Sequence, residues 1–297
     1  MSKKFPVIVV TGSSGAGTTT VKSAFEHIFI RNKIHAAYIS GDSFHLHSRR
    51  EFAEAVKTAE EQGNRHFSHF GPESNDFPAL ENLFKVYGKN GNGQYRHYIH
   101  TATEAEAYSN KFNINLEEGN FTPLESLPED TDLLFYEGLH GMVKGEGYDV
   151  TPHVDLALGV VPVVNIEWIQ KIHRDGMERG YSKEDVIDTI LRRMPDYVNH
   201  ITPQFSRTDI NFQRVATVDT SNPFVARDIP TLDESFVVIR FRNPRKFNPD
   251  FTNLLSMIQG SFMSRRNTMV VPGGKMGMAM EIIVGPIIEN LLQQRLS

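Results

Sequence analysis

A glycine-rich segment that begins at Gly12 has the residue types and the spacing that bind phosphate groups. It reads GSSGAGTT and follows a short apolar run, Phe5–Thr11. Because these residues are small, successive backbone N–H groups can converge on phosphate oxygens, and a helix that begins there adds its positive dipole end. The spacing is that of a P-loop, and Thr19 stands where a hydroxyl would bind Mg²⁺. The predicted nucleotide-binding residues are Gly12, Ser13, Ser14, Gly15, Ala16, Gly17, Thr18, Thr19 and Thr20.

Thr18 stands at the position where a P-loop usually carries lysine. Phosphoryl transfer needs a cation near the β- and γ-phosphates to stabilise charge in the transition state. Lys22 is one helical turn further on, so its Cα is displaced from the loop. The pattern therefore favours a cation from elsewhere in the fold, and it leaves open a glycine-rich turn that binds no ligand.

Two carboxylates follow predicted strands. Asp42 lies in the sequence GDSFH, and Glu137 ends the apolar segment LLFYEG. Ligands of parallel α/β sheets bind at the carboxyl ends of the strands. Asp42 could therefore accept a proton from an attacking hydroxyl, and Glu137 could act on Mg²⁺ or its water. The structural alternatives are a helix N-cap for Asp42 and an ion pair for Glu137.

A predicted helix offers two cations and a carboxylate within about one turn, so that they share a face. These residues are Lys171, Arg174 and Asp175, and Arg179 follows them. Such a face could bind an anion, although a solvated helix with internal ion pairs is the more usual outcome.

Several histidines lie between residues 45 and 100, and their intervals match no compact zinc pattern. We expect them in loops or facing phosphate. They are His45, His47, His66, His69, His97 and His100.

The elements that must position these residues alternate between short apolar segments and segments of helical periodicity. Strands are predicted at 5–11, 35–39, 132–136, 154–163, 212–218 and 236–241. Helices are predicted at 18–30, 49–62, 78–87, 165–179, 182–194, 250–259 and 276–294, with Pro286 expected to kink or interrupt the last and Met276, Met278 and Met280 expected in the core.

This alternation predicts an α/β fold with a mixed, mostly parallel sheet flanked by helices. Residues 1–297 are expected to form one domain, with an irregular excursion at about 89–128 that contains one hairpin at most.

Composition excludes several classes of protein. The net charge of −5 gives no general affinity for nucleic acid. The absence of cysteine excludes disulfides, thiolate metal sites and thiol redox switches. No segment is long and uncharged enough to span a bilayer, so we expect no membrane partner and a cytoplasmic protein.

Longer sequence blocks point to one family. They include VVTGSSGAGTTT, FSHFGPE, LLFYEGLHG, VVPVVNIEWIQKIHRD, ITPQFSRTDINFQRV and VVPGGKMGMAM. From about residue 5 to the last helix, the sequence resembles the bacterial branch of the phosphoribulokinase/uridine kinase-like family of P-loop kinases. Threonine at the P-loop lysine position also occurs in that branch.

The resemblance implies a nucleotide-monophosphate-kinase-like P-loop fold and transfer of the ATP γ-phosphate to the C1 hydroxyl of ribulose 5-phosphate, with Mg²⁺. It implies that Asp42 is the general base, that Glu137 is a metal-linked carboxylate, and that Asp175 is a further active-site acid. Lys171 would supply the missing cation. The residues implied to hold the sugar phosphate or the transferring group are His45, Arg49, Arg174 and Arg179.

The resemblance also implies a homo-oligomer that is activated by NADH and inhibited by AMP. Arg31, Arg240 and Arg265 are the basic residues that could form such an effector site. One departure is Leu46, where related sequences more often carry arginine.

Two alternatives remain open on the sequence. A uridine or pantothenate kinase would share the fold but would need fewer cations in its acceptor site. A nucleotide-binding regulatory module without catalysis would be consistent with Thr18 and Leu46, but it would have no use for a base at Asp42.

Overall fold

The structure, a computed structural model, describes residues 4–12, 18–180, 182–226 and 228–296. The strands of the described residues are β1 (Val7–Gly12), β2 (Ala36–Ser40), β3 (Gln94–Tyr95), β4 (Glu125–Ser126), β5 (Leu133–Gly138), β6 (Lys144–Gly145), β7 (Tyr148–Asp149), β8 (Leu156–Val161), β9 (Ile210–Ala216), β10 (Ser235–Phe241), β11 (Phe262–Arg265) and β12 (Thr268–Pro272). The α-helices are α1 (Thr18–Asn32), α2 (Arg49–Glu61), α3 (Phe77–Asn90), α4 (Ala102–Phe112), α5 (Val164–Arg179), α6 (Lys183–Asp196), α7 (Pro244–Phe247), α8 (Phe251–Met257) and α9 (Met276–Leu296).

One eight-stranded sheet organises the fold, in the order β11-β12-β10-β9-β8-β1-β5-β2. The strands from β9 to β2 pair in parallel, whereas β9, β10, β12 and β11 pair antiparallel in that order. The predicted α/β fold with a mixed, mostly parallel sheet flanked by helices is confirmed.

The central strand β1 is apolar along its length because both faces of the sheet are covered. Ile8 and Val10 belong to a core with α1, α8 and α9. Val7 and Val9 belong to a second core on the other face, with α3. Alternate side chains thus anchor β1 between two helical layers and fix the position of its carboxyl end.

The predicted strands and helices all occur, with ends shifted by a few residues, but four expectations need correction. The excursion at 89–128 contains α4, and its strands β3 and β4 pair with each other across that helix. Strands β11 and β12 were not predicted. Helix α9 continues through Pro286, so the proline does not interrupt it, and a kink there stays a prediction. Met276 and Met280 are buried in the core as expected, but Met278 is exposed.

None of the helices in the described ranges has both the length and the hydropathy needed to cross a bilayer.

Candidate active site

The carboxyl ends of neighbouring parallel strands meet at one edge of the sheet. Glu137 of β5 is in register with Val10 of β1 on one side and with Ser40 of β2 on the other. Gly12, the last residue of β1, is in register with Val160 of β8. The P-loop sequence follows Gly12, and Asp42 follows Ser40, so both predicted carboxylates lie at the edge where the phosphate-binding segment begins.

Two glycines allow the ends of β2 and β5 to approach closely. A Cβ atom on Gly41 would lie 2.9 Å from the Cα atom of Gly138, and one on Gly138 would lie 2.7 Å from the Cα of Gly41. Real Cβ atoms do not occupy such positions, so glycine is required at both. The close approach holds Asp42, the residue after Gly41, near Glu137.

Asp42 lies in a 3-10 turn, Gly41–Phe44, whose N-cap is Ser40. Its Oδ1 atom is 3.2 Å from Nε2 of His45, and its Oδ2 atom is 3.3 Å from Nε2 of His100. The carboxylate is therefore held between two imidazole rings, one from its own turn and one from the excursion.

The two histidines decide the ionisation of Asp42. Partial burial favours a higher pKa, but hydrogen bonds from His100 and His45 outweigh it and hold the pKa of Asp42 well below its usual value. The same hydrogen bond is the main cause that raises the pKa of His100. Asp42 is therefore ionised and can accept a proton at neutral pH.

The pKa of Glu137 is shifted in the opposite direction to that of Asp42. Burial is the main cause that raises its pKa, and the Asp42 carboxylate adds to this, while Lys22 opposes it. A carboxylate that is costly to ionise where it stands gains free energy from a nearby cation.

This donor set fits Mg²⁺. An ion that is bound through nucleotide phosphates needs only one or two carboxylates, and most of its other ligands are water. Within the described residues, no group of three His, Cys, Asp or Glu side chains could hold a metal by itself. Glu137 would thus share the ion with nucleotide.

The predicted cation–carboxylate face on α5 is present. Nζ of Lys171 donates to Asp175 Oδ2 at 2.6 Å, and Nε of Arg174 donates to Oδ1 at 3.0 Å. Asp175 is buried, and these two cations, Lys171 first, lower its pKa against the effect of burial. Burial is in turn the main cause that lowers the pKa of Lys171.

Arg193 of α6 connects this face to the histidines. It interacts electrostatically with His69, with Lys171 and with Asp175. Burial lowers the pKa of Arg193 to about 10, and its Nε atom is buried without a hydrogen-bond partner among the described residues. A buried guanidinium with such an N–H group can donate a strong hydrogen bond to an anion.

The remaining predicted residues are on other elements. Arg49 forms an ion pair with Glu118, and its Nη2 donates to the carbonyl of His100 at 3.4 Å. The Thr20 methyl carbon lies 3.4 Å from the position that a Cβ on Gly277 would take, so it faces α9. Residues 13–17 and the side chains of Thr18, Thr19 and Arg179 lie outside the described part of the chain.

Two of the predicted effector arginines are on strands of the sheet and the third is on a helix. Arg240 and Arg265 are both in register with Thr268, on opposite sides of β12. Arg31 is in the last turn of α1, beside Gly285 of α9.

Four of the loop histidines contact carboxylates, which their spacing did not predict. The pairs are His45 and His100 with Asp42, His66 with Asp196, and His97 with Glu125. The prediction for His45 came from the resemblance, and His100 was expected only in a loop or facing phosphate, whereas Asn75, Arg96 and Arg193 were missed. No local pattern marks them, because each acts through residues that are distant in sequence.

The sheet, the glycine-rich segment between β1 and α1, and the carboxylates at the strand ends define a P-loop kinase. Residues 7–221 match the model of the Phosphoribulokinase / Uridine kinase family. The chain belongs to this family and is a kinase.

Curated relatives match the chain over nearly its whole length. The phosphoribulokinase of Xanthobacter flavus is 58% identical over 295 residues, which cover 99% of this chain and 99% of the relative. The chromosomal phosphoribulokinase of Cupriavidus necator is 56% identical over 295 residues, which cover 99% and 98%.

A solved structure agrees. The phosphoribulokinase from Rhodobacter spheroides superimposes with a TM-score of 0.89 at 49% identity, and the match covers 99% of this chain and 100% of that chain.

Proposed function

We propose that the chain is a phosphoribulokinase, which transfers the γ-phosphoryl group of ATP to the C1 hydroxyl of ribulose 5-phosphate. The observation that carries this proposal is the Asp42 carboxylate, which follows β2 and is held in its ionised form between His45 and His100, at the sheet edge where the P-loop sequence begins. Identity above one half over the full length with phosphoribulokinases supports the choice of acceptor.

In the reaction, the C1 oxygen forms a bond to the γ-phosphorus, and the bond between that phosphorus and the bridging oxygen to the β-phosphate breaks. The C1 hydroxyl proton goes to Asp42, and ADP leaves. Asp42 is the base because its carboxylate is ionised and lies at the sheet edge where nucleotide binds.

Glu137 and the hydroxyl of Thr19 would hold Mg²⁺. When bound, the ion neutralises charge on the β- and γ-phosphates. The chain's own contribution is Lys171, which stands in for the absent P-loop lysine and is held by Asp175. Its partly buried ammonium acts more strongly on a phosphate than an exposed one would, because water screens it less.

The phosphate that the acceptor already carries needs cations of its own. His45, Arg49, Arg174 and Arg179 are the proposed sugar-phosphate residues, and an acceptor without phosphate would have little use for so many. Arg49 is well suited because it lies beside His100, the partner of Asp42.

Regulation and assembly stay predictions. We propose a cytoplasmic homo-oligomer, with NADH as an activator and AMP as an inhibitor, and with Arg31, Arg240 and Arg265 as effector residues. Activity titrations with each effector and sedimentation of the purified protein test these points separately.

The decisive experiment measures ADP formation from Mg-ATP with ribulose 5-phosphate, uridine or pantothenate, each with and without NADH. Detection must be direct, since a coupled assay that consumes NADH would confuse the effector with the readout. Turnover with ribulose 5-phosphate alone is expected. Turnover with uridine or pantothenate would instead identify another kinase of the family. ATP binding without any turnover would support a regulatory module.

A further inference from the structure

Asn75 lies opposite the histidine that contacts Asp42. It is 3% exposed and forms an isolated antiparallel bridge with His45. Backbone hydrogen bonds of 2.8 and 2.9 Å join residues 44–46 to residues 74–76 on either side of that bridge. The Asn75 side chain is therefore fixed beside the turn that carries the base.

The orientation of the Asn75 amide follows from its partners. Its Nδ2 atom lies 3.0 Å from the carbonyl oxygen of His69 and 2.7 Å from that of Gly71. Carbonyl oxygens only accept hydrogen bonds, so the NH₂ group must face them and the amide oxygen must face the other way. That oxygen lies 2.8 Å from Nδ1 of His45. Because an amide oxygen cannot donate, Nδ1 of His45 carries a hydrogen.

The contacts of His45 also restrict the protonation of Nε2, its other ring nitrogen. A neutral ring with its hydrogen on Nδ1 would present the Nε2 lone pair to Asp42 Oδ1, 3.2 Å away. Two lone pairs, one of them on an ionised oxygen, would repel each other. The contact is favourable only when Nε2 also carries a hydrogen, so that His45 is an imidazolium with a donor on each side.

The two buried histidines near His45 carry no positive charge that would repel a charge on its ring. Burial lowers the pKa of His69 to about 2 and that of His140 to about 3, so both rings are neutral at pH 7. The groups that face or sense His45 are Asp42, His69, Tyr98, His140, and Arg96 at its backbone oxygen, with His100 on the far oxygen of Asp42.

We propose that Asn75 is a positioning residue that holds His45 as a cation directed at Asp42. Through His45 it aligns the carboxylate for the acceptor hydroxyl and maintains a positive charge for a phosphorylated acceptor. The kinetic part of this proposal rests on the proposed function.

Two substitutions separate this role from simple support of the loop. Asn75→Leu removes the acceptor for His45 and the donor for the two carbonyls. Asn75→Asp keeps an oxygen toward His45 but loses the donor to His69 and Gly71. If Asn75 acts through His45, kcat/KM should depend on whether residue 75 offers a hydrogen-bond acceptor to His45. If Asn75 only supports the loop, kcat/KM should fall in proportion to Tm.

We expect Asn75→Leu to lower kcat/KM for ribulose 5-phosphate by about 10- to 100-fold, which is the effect of losing a hydrogen bond to a charged group. KM for ATP should be unchanged. Asn75→Asp should retain more of kcat/KM than Asn75→Leu, although its Tm falls at least as far. In a His45→Gln background, Asn75→Leu should have no further effect on kcat/KM.

A spectroscopic readout does not depend on turnover. The ¹⁵N resonances of the His45 ring, assigned by their loss in His45→Gln, should show two protonated nitrogens at pH 7 in the wild type. In Asn75→Leu they should show one unprotonated nitrogen. The matched control is Asn267→Leu, which removes an amide bonded to the carbonyl of Phe241 at 2.7 Å. It should lower Tm without changing kcat/KM.

The proposal is overturned if the His45 resonances are the same in Asn75→Leu, or if kcat/KM falls in proportion to Tm in both Asn75 variants. Failure of the wild type to phosphorylate ribulose 5-phosphate would overturn the proposed function instead, and the nitrogen resonances would still decide the role of Asn75.

Discussion

At the scale of single residues, Asp42 is a weak base because two histidines stabilise its ionised form. A weak base suits phosphoryl transfer, in which the transition state is loose and little proton transfer is needed before the new bond is well advanced. The histidines thus fix the direction of the carboxylate at the expense of its basicity, so that it orients the hydroxyl as well as accepting its proton.

Removing the charge of Asp42 tests this role. Asp42→Asn should lower kcat by about 10²- to 10⁴-fold, because the hydroxyl loses its proton acceptor. KM for ATP should change little, since the nucleotide binds to the adjacent loop. Steady-state ADP formation measures both constants. Wild-type kcat in this variant would remove Asp42 from the mechanism.

Sequence reasoning reached the carboxylates and, through the resemblance, His45, but it did not reach the contact made by His100 or the position of Asn75. Asp42 and Glu137 each follow an apolar strand, and the ends of parallel strands meet at one edge, so local pattern suffices to find them. His100 and Asn75 reach the site through long-range contacts. Neither has a local signal, because only the folded excursion and the bridge at His45 bring them there.

At the scale of elements, an arginine in the segment between α3 and β5 contacts the turn that carries Asp42. Arg96 donates from Nε to the carbonyl of Ser43 at 3.2 Å and from Nη2 to that of His45 at 2.6 Å. Its guanidinium carbon lies 3.7 Å from the centre of the Phe121 ring. One side chain thus joins the excursion to the turn that carries Asp42.

Arg96→Lys should disturb this connection while keeping the charge. A lysine ammonium cannot contact two carbonyls as a planar fork and stacks less well on an aromatic ring. We expect kcat/KM for ribulose 5-phosphate to fall about tenfold, as a lost charged hydrogen bond would cause, with KM for ATP unchanged. Arg50→Ala is the control, because that exposed side chain pairs with Glu54 on the same helix. Equal effects in the two variants would contradict the prediction.

The elements that sequence reasoning missed are short or show little periodicity. Ala105 is the one buried residue of α4, so the helix shows little periodicity, and it depends instead on its N-cap Thr101 and on Asn113, which ends it in the left-handed region. Strands β11 and β12 are short and are joined by a tight, charged turn. Strand β12 pairs with β10, and β11 pairs with β12 at the edge of the sheet, and a local pattern does not reveal this pairing.

At the scale of the whole molecule, buried neutral histidines make stability depend on pH. An unfolded histidine titrates near about 6.5. Burial lowers the pKa of His69 to about 2 and that of His140 to about 3. Below pH 6.5 the unfolded chain therefore binds protons that the folded chain does not, so the free energy of unfolding decreases as the pH falls.

His69→Phe should reduce this dependence. Phenylalanine can keep the stacking on Phe52, where the ring centres are 3.6 Å apart, and it removes the titrating group. Between pH 6 and 5, the slope of the free energy of unfolding against pH should decrease by up to about 1.4 kcal/mol per unit. Urea unfolding at several pH values measures it. A slope equal to that of the wild type would mean that His69 is protonated in the folded protein.

A second test concerns stability alone. Asp209 is buried at the start of β8 and β9, where Oδ2 accepts from the Ala157 N–H at 3.0 Å and from Lys246 Nζ at 2.7 Å. Asp209→Asn should lower the free energy of unfolding by about 3 kcal/mol, since it leaves a partly buried ammonium without its counter-ion. In the same urea measurement, Glu54→Gln at an exposed pair should change it by less than about 1 kcal/mol. A loss of kcat in Asp209→Asn would show that this cluster also affects the site.

The position of β1 in the sheet has a consequence for synthesis on the ribosome. The first strand is central, but both of its neighbours, β5 and β8, come much later in the chain, and α9, which covers α1, follows every strand. At about 5–20 residues per second, the apolar residues of β1 wait roughly ten seconds for β5 alone. The nascent chain therefore carries an unpaired apolar segment through about half of translation. The yield of this protein in a cell should depend on chaperone supply more than on the stability of the finished fold.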